Sequence, residues 1–136
     1  MVSTNNYHRL LFIVLLMIGS SVVLGAFGAH WMKAHLSTEK LAVYHTACQY
    51  LTIHSIGLLL VLVINITTNY RLSPKAIYSL LSGIFVFCIS LFLVSLSELL
   101  NVNGLVKFGM VAPIGGLLLI AGYLFAAFDI YKTVKK

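Results

Sequence analysis

The stretch LLFIVLLMIGSSVVLGAFGA, residues 10–29, decides what kind of fold this chain adopts. It carries no charge, and at about 1.5 Å per residue a helix of that length crosses a hydrocarbon core of about 30 Å. Two readings compete for it. Arg9 upstream and the small residues Gly25, Ala26 and Gly28 downstream resemble a cleavable signal peptide, with Ala26 three residues before a cut after Gly28. Against this, the run is longer than the usual signal core of about 7–15 residues. Ser21, Gly25 and Ala29 also fall at i, i+4 and i+8, with Gly28 beside them. Such a face lets a second helix approach closely in lipid. The pattern favours a retained helix with His30 tethered at its end.

Composition extends this reading to the whole chain. Of the 136 residues, 60% are hydrophobic and 9% are charged, and the mean hydropathy is +1.02. A soluble domain carries about 25% charged residues, and a core this small could not hide so much hydrocarbon. Residues 41–66, 76–97 and 108–128 repeat the charge-poor pattern. None alternates polar with apolar residues as a membrane β-barrel must. Only helices then satisfy the backbone in lipid. The expectation is an all-α, single-domain, integral membrane bundle of four antiparallel helices, residues 10–29, 41–66, 76–97 and 108–128.

Basic residues set the expected orientation. Arg9, Arg71, Lys75, Lys132, Lys135 and Lys136 fall on one side, and Lys33, Lys40 and Lys107 on the other. The positive-inside rule puts both termini in the cytoplasm. This asymmetry accounts for the net charge of +6. No basic stripe with interleaved aromatics points to nucleic acid. The expected surroundings are the lipid bilayer of an inner (plasma) membrane, with a second copy or another membrane protein left open as a partner.

Four stretches together carry a resemblance: LGAFGAH (24–30), Thr46, Tyr50 and His54 within TACQYLTIH, then Gly83 and Ser90, then PIGGLLLIAGY (113–123) with Gly122. In order and spacing they resemble the YgdD/YwdK-type family of small inner-membrane proteins, a domain of unknown function numbered 423. The likeness runs from about Leu15 to Tyr123. It implies an uncleaved four-helix protein and brings no biochemical activity. The chain departs from the pattern at FCISLF (87–92), where Cys88 and Ile89 replace small residues, and at Gln49, often basic in relatives.

Candidate chemistry centres on histidines. His54 falls near the middle of the second run, where an ionisable side chain faces the bundle interior or water. At 100° per residue it shares a face with Thr46, Tyr50 and Gly57. Structural hydrogen bonding outweighs a proton-relay or substrate-contact role for it. No second histidine at matching depth supports haem. His30, His35, His45 and Glu98 form a polar cluster expected on the outer side. Their spacing matches no compact metal motif, so solvated interfacial groups are expected and neither metal nor cofactor. Cys48 and Cys88 read as small apolar residues within helices.

Residues 30–40 read as an amphipathic connection, with Ser37 as N-cap and Glu39 in the first turn. Pro113 is expected to kink the fourth helix. Gly115 and Gly116 then offer close packing, with the Gly25 face of the first helix as one neighbour. The leading functional reading is a non-enzymatic structural or accessory membrane protein. A small-solute or proton-coupled transporter using His54 comes second. A metal-binding protein or enzyme built on the outer histidines comes last. All three acids sit at helix ends, which weighs against carboxylate-driven exchange.

Overall fold

The computed structural model describes residues 4–68 and 72–134, and every regular element among them is helical. The first span begins with α1 (Thr4–Phe27) and continues through a π-helical turn, Gly28–Met32, into a single turn, α2 (Lys33–His35). α3 (Thr38–Thr67) and α4 (Pro74–Leu96) follow. A 3-10 segment, Asn103–Met110, then leads into α5 (Ala112–Val134). Four helical stretches are long and apolar enough to cross a membrane: Asn6–His35, Thr38–Thr67, Pro74–Leu96 and Asn103–Thr133. The orientation argument rests partly on Arg71, Lys135 and Lys136, which lie outside the described residues.

Several helix ends overrun the expected boundaries, the first span most of all. The first was expected to stop at Ala29, with residues 30–40 as a connection. Instead the helix runs to His35, and only Leu36 and Ser37 separate it from α3. His30, Trp31 and Lys33 are exposed, and side chains of these types reach headgroups or water without disturbing the backbone, so leaving hydrocarbon need not end a helix. Extended Leu36 (φ −103°, ψ 146°) does end it. Ser37 then caps α3, its hydroxyl accepting from the Lys40 N–H at 3.5 Å.

Pro113 does not kink a helix interior. It is the second residue of α5, where its missing N–H is one that no helical carbonyl needs. The expected start at residue 108 falls inside the 3-10 segment, whose Val106, Phe108 and Met110 are exposed apolar side chains.

Close packing lies at other glycines than the first-helix stripe. On α5, Ala112, Gly115, Leu119, Gly122 and Ala126 are buried at spacings of three and four, one face of a helix. A Cβ on Gly115 would stand 2.5 Å from the Phe87 backbone nitrogen of α4. One on Gly122 would stand 2.7 Å from Leu80 Cγ, and one on Gly83 would stand 2.9 Å from the Leu119 backbone nitrogen. Gly116 makes only ordinary contact with the Phe87 ring, at 3.9 Å. The neighbour of Gly115 is therefore α4, and the Gly25 face plays no part.

On α1 the buried positions are Leu10, Val14, Met17 and Ser21, with Gly28 and Met32 in the π turn. Gly25 has open space where a Cβ would stand, and Ala29 is exposed. The packing face thus runs from Ser21 to Gly28, seven residues apart, and misses the i+4 stripe. Gly28 is tight because the Tyr44 ring of α3 lies against it, 2.8 Å from a built Cβ. Tyr44 also donates a hydrogen bond to the Leu24 carbonyl at 2.9 Å. The signal-like LGAFGAH stretch is the place where the first span widens to admit a tyrosine.

The glycine contacts make a graded expectation. Gly115→Ala should destabilise the bundle by about 1–3 kcal/mol, because backbone must move to admit the methyl. Gly25→Ala should stay within about 0.5 kcal/mol. Unfolding by steric trapping in bicelles checks both values.

Candidate functional site

α3 carries His54 and Gly57 one turn apart, and Tyr123 of α5 fills the space between them. The Tyr123 hydroxyl lies 3.0 Å from His54 Nδ1. A Cβ on Gly57 would overlap that hydroxyl, so Gly57 is the notch that admits it. The preceding residue, Gly122, lets α5 lie against Leu80, which brings Tyr123 within reach of α3. The site is therefore a product of packing. Two glycines on two helices give one tyrosine its place.

Aromatic rings surround the pair. Tyr50 lies one turn from His54, its ring centroid 5.2 Å away, and stacks on Phe87 of α4 at 4.5 Å with an interplanar angle of 25°. Farther along, Tyr44 meets Phe92 edge-on at 5.3 Å. Three helices thus converge on His54: its own, α4 through the Tyr50–Phe87 stack, and α5 through Tyr123. A tyrosine hydroxyl and an imidazole nitrogen at this distance form a hydrogen bond with either atom as donor.

The other intramembrane polar candidates do not join this group. Thr46 donates to the Ala42 carbonyl of its own helix at 3.0 Å. Ser90 donates to the Phe87 carbonyl at 2.7 Å. Ser21, Ser95 and Ser97 turn back on their own helices in the same way, at 2.7–2.8 Å. Ser55, fully buried on α3, has a hydroxyl with no hydrogen-bond partner. Tyr123 is the partner that reading the sequence missed. The signal was present in the adjoining Gly122–Tyr123 pair, but it lacked a register to link it with α3.

The polar cluster expected on the outer side is dispersed. His30 is exposed, and His35 stacks on Trp31 at 4.4 Å with Nδ1 2.8 Å from the Trp31 carbonyl. His45 lies against Gly28 beside Tyr44. Glu98 approaches none of them. Its Oε2 accepts from the Ser37 N–H at 3.1 Å and the Ser37 hydroxyl at 2.8 Å. Among the described residues no three His, Cys, Asp or Glu side chains gather where they could hold a metal ion.

The carboxylates act on helix N-termini. Glu98, just past the end of α4, binds the capping residue of α3, and Glu39 lies in the first turn of that helix. At the opposite end of the bundle, Asp129 of α5 accepts from the N–H of Ser73, the capping residue of α4, at 2.7 Å. Beside it Asn65 accepts from Leu72 N–H at 2.9 Å and donates to the Tyr7 hydroxyl. Negative charge at these positions complements the helix dipole. The backbone and hydroxyl bonds from Ser37, in that order, hold the Glu98 carboxyl below the usual glutamate range.

This arrangement defines a small helical membrane protein whose polar groups serve contacts between and within helices. The family model described as "Protein of unknown function (DUF423)" matches residues 24–116, and the chain belongs to that family. It is 36% identical to UPF0382 membrane protein SH2409 of Staphylococcus haemolyticus, over 84% of this chain and 88% of the relative. It is 33% identical to UPF0382 membrane protein SSP2132 of Staphylococcus saprophyticus, over 79% and 84%. It is 29% identical to UPF0382 membrane protein YwdK of Bacillus subtilis, over 76% and 80%. No solved structure matches the chain.

Two outcomes follow from this geometry. Tyr123→Phe should cost about 0.6 kcal/mol, the average for one such bond in a membrane. Gly57→Val should cost more, since it expels the whole tyrosine tip, and unfolding in bicelles ranks the two. At the Ser37 cap, a carboxyl held low in the folded state stabilises above its unfolded value and stops doing so as pH falls through its folded value. Stability should therefore drop on acidification below the usual carboxylate range, and Glu98→Gln should flatten that part of the stability–pH curve.

Proposed function

We propose that this protein is a non-enzymatic, multi-pass component of the inner (plasma) membrane, acting as a structural or accessory subunit. Its four spans run antiparallel, with both termini in the cytoplasm. The observation that carries this reading is the use made of His54. An ionisable side chain at bilayer depth is expensive, and one retained for transport faces water or a substrate path. Here Nδ1 meets the Tyr123 hydroxyl in the Gly57 notch, a contact that joins two helices. The acids support the same reading, since Glu98 and Asp129 bind helix N-termini and Glu39 lies in a first turn. Partners of such a subunit are the bilayer and either a second copy or another membrane protein, without nucleic acid. For orientation, Arg9, Lys75 and Lys132 lie toward one end, and reporter fusions to the C-terminus test the cytoplasmic assignment.

One observation favours a second reading, a proton-coupled transporter. Histidine and tyrosine in hydrogen-bond contact across two helices are groups that a proton relay would use. Reconstitution into proteoliposomes separates the two. The structural reading expects no pH-dependent flux above protein-free vesicles, and lower abundance of His54→Ala in cells. A flux that vanishes in His54→Ala while the variant stays folded would replace it with the transport reading.

A further inference from the structure

Where α3 begins and α4 ends, the bundle carries a cavity of about 420 Å³ that the helix-packing role does not use. Its walls are Ser37, Lys40, Ser97, Glu98, Asn101 and Asn103, with Val106 as an apolar edge. Glu98 commits only one oxygen to Ser37. Oε2 takes both bonds, and Oε1 accepts none among the described residues. Lys40 acts on Glu98 through space, yet the two form no ion pair. A cation and an anion therefore face one cavity without closing on each other.

The cavity rim is built by a defined helix ending. Asn101 adopts a left-handed conformation (φ 52°). The Val102 N–H bonds to the Ser97 carbonyl at 3.1 Å, and the Asn101 N–H bonds to the Glu98 carbonyl at 3.3 Å. Glycine is the common residue at such a position, and asparagine keeps the geometry while adding an amide to the wall. The same end of the bundle bears Trp31, Lys33 and Lys107, the residue types of a headgroup layer. The 3-10 segment that leads into α5 also exposes Val106, Phe108 and Met110, so apolar surface lies between the cavity and the span of α5.

We propose that this cavity binds the headgroup of an ethanolamine-type phospholipid, with its phosphate on Lys40 and its primary ammonium on Glu98 Oε1. The asparagine amides supply donors to the phosphate and acceptors to the ammonium. The acyl chains descend past the exposed apolar side chains of the 3-10 segment. A choline headgroup has no N–H to donate to Glu98, and a glycerol headgroup has no cation to answer it. The site therefore discriminates by charge pattern and by hydrogen bonding together.

The test uses the full-length chain in detergent, titrated with short-chain phosphatidylethanolamine, phosphatidylcholine and phosphatidylglycerol. Native mass spectrometry reads stoichiometry, and thermal unfolding reads affinity. Phosphatidylethanolamine should bind at one per chain and about tenfold more tightly than either other lipid. Lys40→Gln should weaken all three lipids alike, because each carries the phosphate, and Asn103→Ala should lower the preference by removing an acceptor for the ammonium, both leaving the lipid-free unfolding temperature unchanged. These two positions are chosen because Glu98 also caps α3. Equal binding of the three lipids, undiminished binding of all three to Lys40→Gln, or a preference that survives Asn103→Ala, would overturn the proposal. Free glycerophosphoethanolamine binding as tightly as the lipid would move the same chemistry to a soluble ligand and overturn the lipid assignment.

Discussion

Helices in lipid gain no hydrophobic driving force from meeting one another, so close backbone approach has to supply the contact. In this chain that approach is concentrated where α4 and α5 touch. Gly115 meets the Phe87 backbone, Gly83 meets the Leu119 backbone, and Gly122 meets Leu80. These contacts set both the height and the rotation of α5. Its height brings Tyr123 level with His54, and its rotation aims the hydroxyl into the Gly57 notch. A different register would leave both polar groups facing hydrocarbon. The polar contact at mid-membrane therefore depends on an apolar one, and Phe87 belongs to both, since it also stacks on Tyr50.

The ends of the bundle follow a second economy. Ser21, Thr46, Ser90 and Ser95 return their hydroxyls to carbonyls of their own helices, which satisfies them without linking anything, while the Ser55 hydroxyl is left without a partner. Linking between elements is left to the tyrosines, to Asn65 and to the carboxylates. Glu98 joins the end of α4 to the start of α3, and Asp129 joins α5 to the start of α4. Each places negative charge where unpaired backbone N–H groups gather, a favourable position that needs no partner cation. With so few acids in the chain, their use at caps leaves none at bilayer depth among the described residues.

The four spans were legible because uncharged runs of about 20 residues have few other uses. Their ends were not, because tryptophan, histidine and lysine at a membrane surface reach outward without interrupting backbone hydrogen bonds. The first span accordingly continues through His30 to His35. Pro113 was ambiguous for a related reason. A proline kinks a helix only if a full turn precedes it, and what precedes it here is 3-10 structure. The first-helix glycines misled because small residues at i+4 and i+7 suggest different faces, and only the position of Tyr44 selects Gly28. His54 stood out by its depth, but its partner lies on a helix 69 residues away. Such a register is written in glycine contacts between helices, which no single segment contains.

A double-mutant cycle between His54 and Tyr123 measures the central contact most directly. His54→Ala, Tyr123→Phe and the double variant are unfolded by steric trapping in bicelles of one composition. A direct bond predicts that the double variant loses less than the sum of the singles, with a coupling of about 0.6 kcal/mol and not above about 1.7. Strict additivity would contradict the account, because the two side chains would then stand near each other without holding the helices together.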